Sequence, residues 1–277
     1  MSKLLLSEIN RMRKSKIFWL CVIAVLGVTV WIMMMGNRAA QKINVTLEYY
    51  YFQLGPFIPF FYSVFISMLM GTEYSNNTIR NKLIIGHTRG QIYLAYYLTC
   101  LIGAEFLVAV WLVGGLIGIP MLGVWTVGVE TVIGFIIITL LYCAALTAIF
   151  TFFGMMISSK SVSVVTQFIF ALLIILAASM LYNGLCEPEM SAGMVLVDGK
   201  IVMSEPEPNP MYIGGFLRKI CVLIVNILPT GQGILMLHQE TSGDIPIMIP
   251  LQIISSVVIS VGLTAVGILA FRRKNLR

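Results

Sequence analysis

Gly71–Gln91 reads GTEYSNNTIRNKLIIGHTRGQ, a polar stretch carrying Arg80, Lys82 and Arg89 between two long apolar runs, Leu54–Met70 and Ile92–Ile119. Runs of that length and apolarity read as membrane-spanning helices. The polar stretch between them then reads as a short helical cuff at one membrane surface, where a partner outside the lipid can grip the protein.

Composition supports this reading. Of 277 residues, 58% are hydrophobic and 11% charged, against roughly 25% charged in an average soluble domain. Mean hydropathy is +0.93, which excludes a soluble class. The net charge of +6 is spread over the loops and reflects topology, so no nucleic-acid partner is expected. The methionines and phenylalanines suit lipid-facing or loosely packed helices. Cys21, Cys100, Cys143, Cys186 and Cys221 form no CxxC pair. Cys186 and Cys221 fall in one long loop, where they either pair or stay free.

Working outward, Ile17–Gly36, Thr131–Ile157, Val162–Tyr182 and Ile247–Ala270 bring the number of spans to six. The first apolar run, about 20 residues long, exceeds a signal-peptide core of roughly 7 to 15 and reads as a retained span. Before it, residues 1–16 read either as a charged tail or as an interfacial helix, with Leu5, Ile9 and Met12 toward lipid and Lys3, Arg11, Arg13 and Lys14 elsewhere. Tyr49, Tyr50, Tyr51 and Phe52 suit a membrane interface. Pro56 falls near the start of the second span, and Pro59 resets its first turn. The loop from Pro120 to Glu130, with Trp125, is compatible with a dip into the membrane surface.

Only Ser158–Ser161 separates the fourth and fifth spans, which are therefore expected to be antiparallel neighbours, with Gly154 permitting close packing or a bend. Residues 183–246 form the largest non-spanning region and carry Glu187, Glu189, Asp198, Glu205, Glu207, Glu240 and Asp244. VLVDGKIVM reads as a hairpin about Asp198–Gly199. Ile220–Leu228, ending at Pro229, is too short to cross a bilayer and reads as a surface or partly re-entrant element.

Charge orients the chain. Placing 1–16, 71–91, 158–161 and the tail 271–277 on one side gathers 13 of the 18 Lys and Arg residues there, with only Glu8 and Glu73 as acids. The bias of basic residues toward the cytoplasm puts both termini inside and the acidic loop outside.

No GxxxxGK[ST] phosphate loop is present, His87 and His238 fall on opposite membrane faces, and no Ser–His–acid set or metal cluster is legible. The chain is expected not to be an enzyme. Glu105 is the one carboxylate deep in a span, and burying it charged in lipid costs several kcal/mol. It reads as a pathway or proton-relay residue, as a helix-packing hydrogen bond, or as a residue closer to the membrane interface than its place in the run suggests. In the polar stretch, Thr78 can cap a turn holding Ile79, Leu83 and Ile84 against the spans, while Glu73, Arg80, Lys82 and Arg89 face a soluble partner.

Glu73, Asn77–Thr78–Ile79–Arg80 and His87–Thr88–Arg89, set before the third span within this six-span layout, resemble the pattern of ABC-2 type membrane permeases of bacterial exporters. Asn77 departs from a usual glycine and His87 from a usual proline or other turn former. The resemblance covers nearly the whole chain. It implies an all-α polytopic membrane protein in a bacterial cell membrane, with six transmembrane helices (residues 17–270), an N-terminal interfacial helix and short extracellular helices around 211–238, before the sixth span. By the same resemblance, residues 73–91 contain a coupling helix, with Glu73, Thr78, Ile79, Arg80, Lys82, His87 and Arg89 as its contacting set. Its partners would be two ATP-binding cassette ATPase subunits holding ATP and Mg, with no cofactor in this chain. A second permease copy or homologue, membrane lipid, and a peptide or hydrophobic small-molecule cargo complete the expected set. Spans one, two and five would meet at a central interface. A non-transporting sensory or interaction protein and an ion-gradient secondary transporter are the alternatives.

Overall fold

The computed structural model describes residues 1–42, 46–123, 125–192, 194–197, 200–203, 205–238 and 245–275. In chain order the helices are α1 (Ser2–Lys14), α2 (Lys16–Ala40), α3 (Leu47–Phe52), α4 (Ile58–Ser75), α5 (Thr78–Ile84), α6 (Arg89–Gly115), α7 (Ile119–Leu122), α8 (Val129–Met156), α9 (Lys160–Cys186), α10 (Gly215–Ile227), α11 (Pro229–Leu237) and α12 (Ile249–Arg273). Six of the described segments are long and apolar enough to cross a membrane, each built on one of α2, α4, α6, α8, α9 and α12. The fold is all-α and multi-pass, with four short strands forming two two-stranded sheets among the described residues. Met190–Ser191 (β1) pairs with Glu207–Pro208 (β4), and Met194–Val197 (β2) pairs antiparallel with Lys200–Met203 (β3). The expected turn residues Asp198–Gly199 lie outside the described residues, as do Glu240 and Asp244.

The proline expectations hold. A 3-10 turn at Gly55–Phe57 contains Pro56, and α4 restarts at Ile58 with Pro59 in its first turn. Within the aromatic run, Tyr49 and Tyr50 are half-buried and the two residues after them pack into the protein. Tyr51 and Phe52 are buried, the Tyr51 hydroxyl donates to the Leu112 carbonyl at 2.8 Å, and the Trp111 indole donates to the Tyr51 carbonyl at 2.9 Å. The loop after α7 packs back on α3. Trp125 meets Tyr51 edge-on at 4.9 Å, and the buried Glu48 carboxylate accepts the Val127 N–H at 3.0 Å.

Helices α8 and α9 touch, yet α9 packs chiefly on α4, and α8 chiefly on α12. Close approach explains the arrangement. A Cβ on Gly154 would lie 2.8 Å from Met70 Cγ, and one on Gly71 would lie 2.6 Å from Lys160 Cγ. These two glycines let α4 wedge against the α8–α9 connection, a packing that connection length cannot reveal.

Helices α10 and α11 meet at a 98° bend. Pro229 opens α11, where its missing N–H costs nothing. The pair is re-entrant. Arg218 near its start donates to the Leu185 carbonyl at 3.0 Å, Thr230 at the bend donates to the Ile174 carbonyl at 3.1 Å, and His238 after its end stacks on Tyr182 at 4.9 Å. Along α9, Leu185 and Ile174 are about 16 Å apart at 1.5 Å per residue, so the chain goes in and comes back.

Broken helices inside a membrane need their backbone groups satisfied by protein. Here the buried Gln232 amide does so, donating to the Asn226 carbonyl in the last turn of α10 at 3.1 Å. The Asn226 side-chain oxygen accepts from the Met248 N–H and the Gln252 amide, both at 2.9 Å, and its NH₂ donates to the Pro246 carbonyl at 3.1 Å. Gln232 donates to Ser255 at 3.2 Å and accepts from Ser256 at 3.1 Å, tying the hairpin to the first turns of α12. Cys221 in α10 is buried, and both it and Cys186 are free thiols, so that pair does not form here.

Candidate functional site

One end of the bundle gathers α1, the end of α4, α5, the start of α6 and the end of α12. Asn77, with φ of 52°, is the one non-glycine residue in the left-handed region among the described residues, and it turns the chain between α4 and α5. The Thr78 hydroxyl then donates to the Glu73 carbonyl at 2.9 Å and the Glu73 carboxylate at 2.6 Å. Thr78 therefore closes α4 and does not cap α5. Helix α6 starts at a reciprocal capping box. The Gln91 N–H donates to the Thr88 hydroxyl at 3.3 Å, and the Gln91 side chain accepts the Thr88 N–H at 3.1 Å.

Between these elements lies a quartet of charges whose two acids are buried. Glu8 and Glu73 are 4% and 2% exposed. Arg11 pairs with both, at 2.7 Å from Glu8 and in direct contact with Glu73. Lys82 also pairs with both, at 2.6 Å from Glu8 and 3.2 Å from Glu73. The Tyr96 hydroxyl of α6 donates to Glu73 and accepts from Lys82. Burial pulls the Lys82 ammonium below the usual lysine range, while its hydrogen bond to Glu8 works in the other direction. Two acids and two bases cancel, which offsets the desolvation of each charge, and removing one member strands the others. The quartet fastens α1, α4, α5 and α6 to one another.

This geometry corrects the sequence reading of Glu73 and Lys82, which turn inward and not toward a soluble partner. Helix α1 buries Leu4, Glu8 and Met12 against the rest of the protein, so Met12, read as lipid-facing, packs inward, while Leu5 and Ile9 are half-buried. Glu8 is drawn in because Lys82 and Arg11 meet it. Ile79 is buried as expected, but Ile84 is 76% exposed and its neighbour Ile85 77%. Arg80 is exposed beside them on α5, and His87 is half-buried, its N–H donating to the Lys82 carbonyl at 3.1 Å.

Arg89 stands apart from that exposed face. Its guanidinium donates to the carbonyls of Phe271 at 3.3 Å, Arg272 at 2.9 Å and Lys274 at 2.5 Å, closing the C-terminal end of α12. Lys274 in turn donates to the Tyr74 hydroxyl at 2.8 Å and the Met155 carbonyl at 2.9 Å, and burial brings its ammonium down to about 8. The last turn of α12 is thereby tied to α4, α6 and α8.

Glu105 lies well along α6, sixteen positions past Arg89 and about 24 Å at helical rise. Both of its carboxylate oxygens are buried and have no hydrogen-bond partner among the described residues. The helix-packing hydrogen bond considered for it is therefore not made here. No group of three or more His, Cys, Asp or Glu that could hold a metal ion occurs among the described residues.

Residues 4–182 match the family model described as ABC-2 family transporter protein. The match runs from α1 through most of α9 and so contains the charge quartet and α5. It ends before the re-entrant pair and α12. No curated protein matches the chain.

Proposed function

The chain belongs to the ABC-2 family of transporter proteins, and from that premise we propose that it is the membrane subunit of an ATP-driven exporter. In this reading it works with two ATP-binding cassette ATPase subunits, which hold the ATP and Mg, and with a second permease copy or homologue. The basic end of the bundle faces the cytoplasm of a bacterial cell, with both termini inside. The cargo is an amphipathic peptide or hydrophobic antimicrobial, moved without covalent change.

The observation that carries the proposal is the two-sided character of α5. Its outer side presents Arg80, Ile84 and Ile85, and its inner side is fastened through Thr78 and Lys82 to Glu73, Glu8 and Tyr96. Closure of the ATPase subunits would push on the outer side. The quartet would pass that displacement as one body to α1, α4 and α6. Exposed isoleucines beside a cation suit a docking patch with an apolar centre and a polar rim.

Co-expression with the cognate ATPase tests the reading. The wild-type pair should co-purify in stoichiometric amounts and carry labelled peptide into inverted vesicles with ATP. Replacing Ile84 and Ile85 by Glu should lower both co-purification and transport at least tenfold, while the permease still elutes as a folded particle. Full association of that double variant would exclude α5 as the docking element.

A further inference from the structure

The elbow between α1 and α2 forms a groove that the transport reading does not use. Ser15, extended at φ −72° and ψ 125°, separates the two helices. The Trp19 indole reaches back to donate to the Arg13 carbonyl at 2.8 Å. This bond holds the last turn of α1 over the first turn of α2. The resulting open groove, about 650 Å³, is lined by Arg13, Lys14, Lys16, Trp19, Leu20 and Ile23.

The lining divides by chemistry. Arg13, Lys14 and Lys16 form the upper rim, all three exposed. Below them on α2, Leu20 and Ile23 are 65% and 70% exposed. From Lys16 to Ile23 is about 10 Å along the helix, and Trp19 lies at the level where tryptophan favours the membrane interface. No carboxylate lines the groove, and the nearest acid in sequence, Glu8, is occupied by Arg11 and Lys82. Lys16 also opens a 25-residue helix, whose N-terminal dipole adds to the positive field.

We propose that this elbow is a binding site for an anionic phospholipid, with Arg13, Lys14 and Lys16 around the headgroup phosphate and an acyl chain along Leu20 and Ile23. Cations above a lipid-facing apolar strip match such a molecule in both charge and length. A zwitterionic lipid supplies the same chain with no net charge and is bound less. The occupant is a lipid and not a free phosphate ion, because half of the lining is apolar. The site depends on α2 crossing the membrane and is independent of any transport cycle.

Trp19 supplies the readout. The full-length protein is reconstituted in vesicles of brominated phosphatidylglycerol or brominated phosphatidylcholine in a common unlabelled background, and tryptophan quenching is titrated. Brominated phosphatidylglycerol should quench at lower mole fraction, and Trp19→Phe should remove that preference while the other tryptophans retain the non-selective part. Neutralising each cation should cost about fivefold in relative affinity, so the triple change R13Q/K14Q/K16Q should abolish the preference. The double change R272Q/R273Q, at the same end of the bundle, should not. If the triple variant fails to elute as a folded particle, K14Q and K16Q singly must each weaken the preference. Equal quenching by the two lipids, a preference that survives neutralisation, or its complete loss in millimolar inorganic phosphate at constant ionic strength would each overturn the assignment.

Discussion

Arg89, the first residue of α6, donates to the carbonyl of Arg272 at 2.9 Å, so the start of one span closes the end of another. Arg89 and Arg80 therefore have separable roles, since Arg80 is exposed on α5. Arg89→Glu should free the end of α12, lowering stability by about 2 kcal/mol through the lost charged hydrogen bonds and exposing the bonds after Arg272 and Arg273 to trypsin. Arg80→Glu should leave the melting temperature and the tryptic pattern unchanged and weaken only ATPase association. Identical behaviour of the two variants would contradict this division.

The quartet should respond to any single loss. Glu73→Gln leaves Arg11 and Lys82 facing one acid, and breaking a buried pair in this way costs about 3–5 kcal/mol. Arg11→Gln should cost less, because the Arg11 side chain is 40% exposed. Exchanging the charges in the R11E/E73R double variant should recover part of the loss. Thermal unfolding of the purified permease measures all three, and a Glu73→Gln protein as stable as wild type would remove the quartet from the structural account.

Lys274 gives a pH dependence of definite sign. Its folded value of about 8 lies below the ordinary lysine value of 10.5 because burial disfavours the charged form. Between those pH values the unfolded chain holds more protons, so stability contributed through this group rises with pH across the window and is lost as pH falls through 8. Lys274→Met should flatten that slope in melting curves recorded from pH 7.5 to 10.5. A variant with the wild-type slope would assign the dependence to another group.

Glu105→Gln keeps the side-chain shape and removes an ionisable group whose oxygens find no hydrogen-bond partner among the described residues. Expression and melting temperature should be unchanged or higher, since an unpaired carboxylate is costly to bury. Vesicle transport should fall if the carboxyl group lines the cargo route. Wild-type transport by this variant at every pH from 5.5 to 8 would leave Glu105 without a part in export.

Gly231 marks the tightest crossing in the re-entrant pair. A Cβ there would lie 2.2 Å from the Val225 carbonyl oxygen, a backbone atom that cannot swing aside. Gly231→Ala should destabilise the protein by about 1–3 kcal/mol and raise hydrogen exchange in α10 and α11. Unchanged exchange in both helices would show that the bend does not depend on this contact.

The spans were legible because a 20-residue apolar run has few other uses, and the charged end because Lys and Arg cluster there. Pro229 signalled that Ile220–Leu228 stops short, but not that Gln232 would satisfy the broken backbone. The inward turn of Glu73 and Lys82 was hidden because their partners Glu8 and Arg11 are distant in sequence. A local signal did exist. Glu8 stands at four-residue spacing between Leu4 and Met12, a carboxylate in the middle of what becomes the buried stripe of α1. The packing of α9 on α4 was likewise set by Gly71 and Gly154, whose small size marks a contact without naming its partner.

Because the quartet is neutral only as a whole, its four positions are not free to drift one at a time. Among relatives of this chain, a substitution at the position of Arg11 should be matched by one at Glu8 or Glu73, and loss of the Lys82 amine by loss of a carboxylate. Aligned descendants should show these sites changing in compensating pairs, a mark of shared ancestry in the mechanism that span lengths alone would never record.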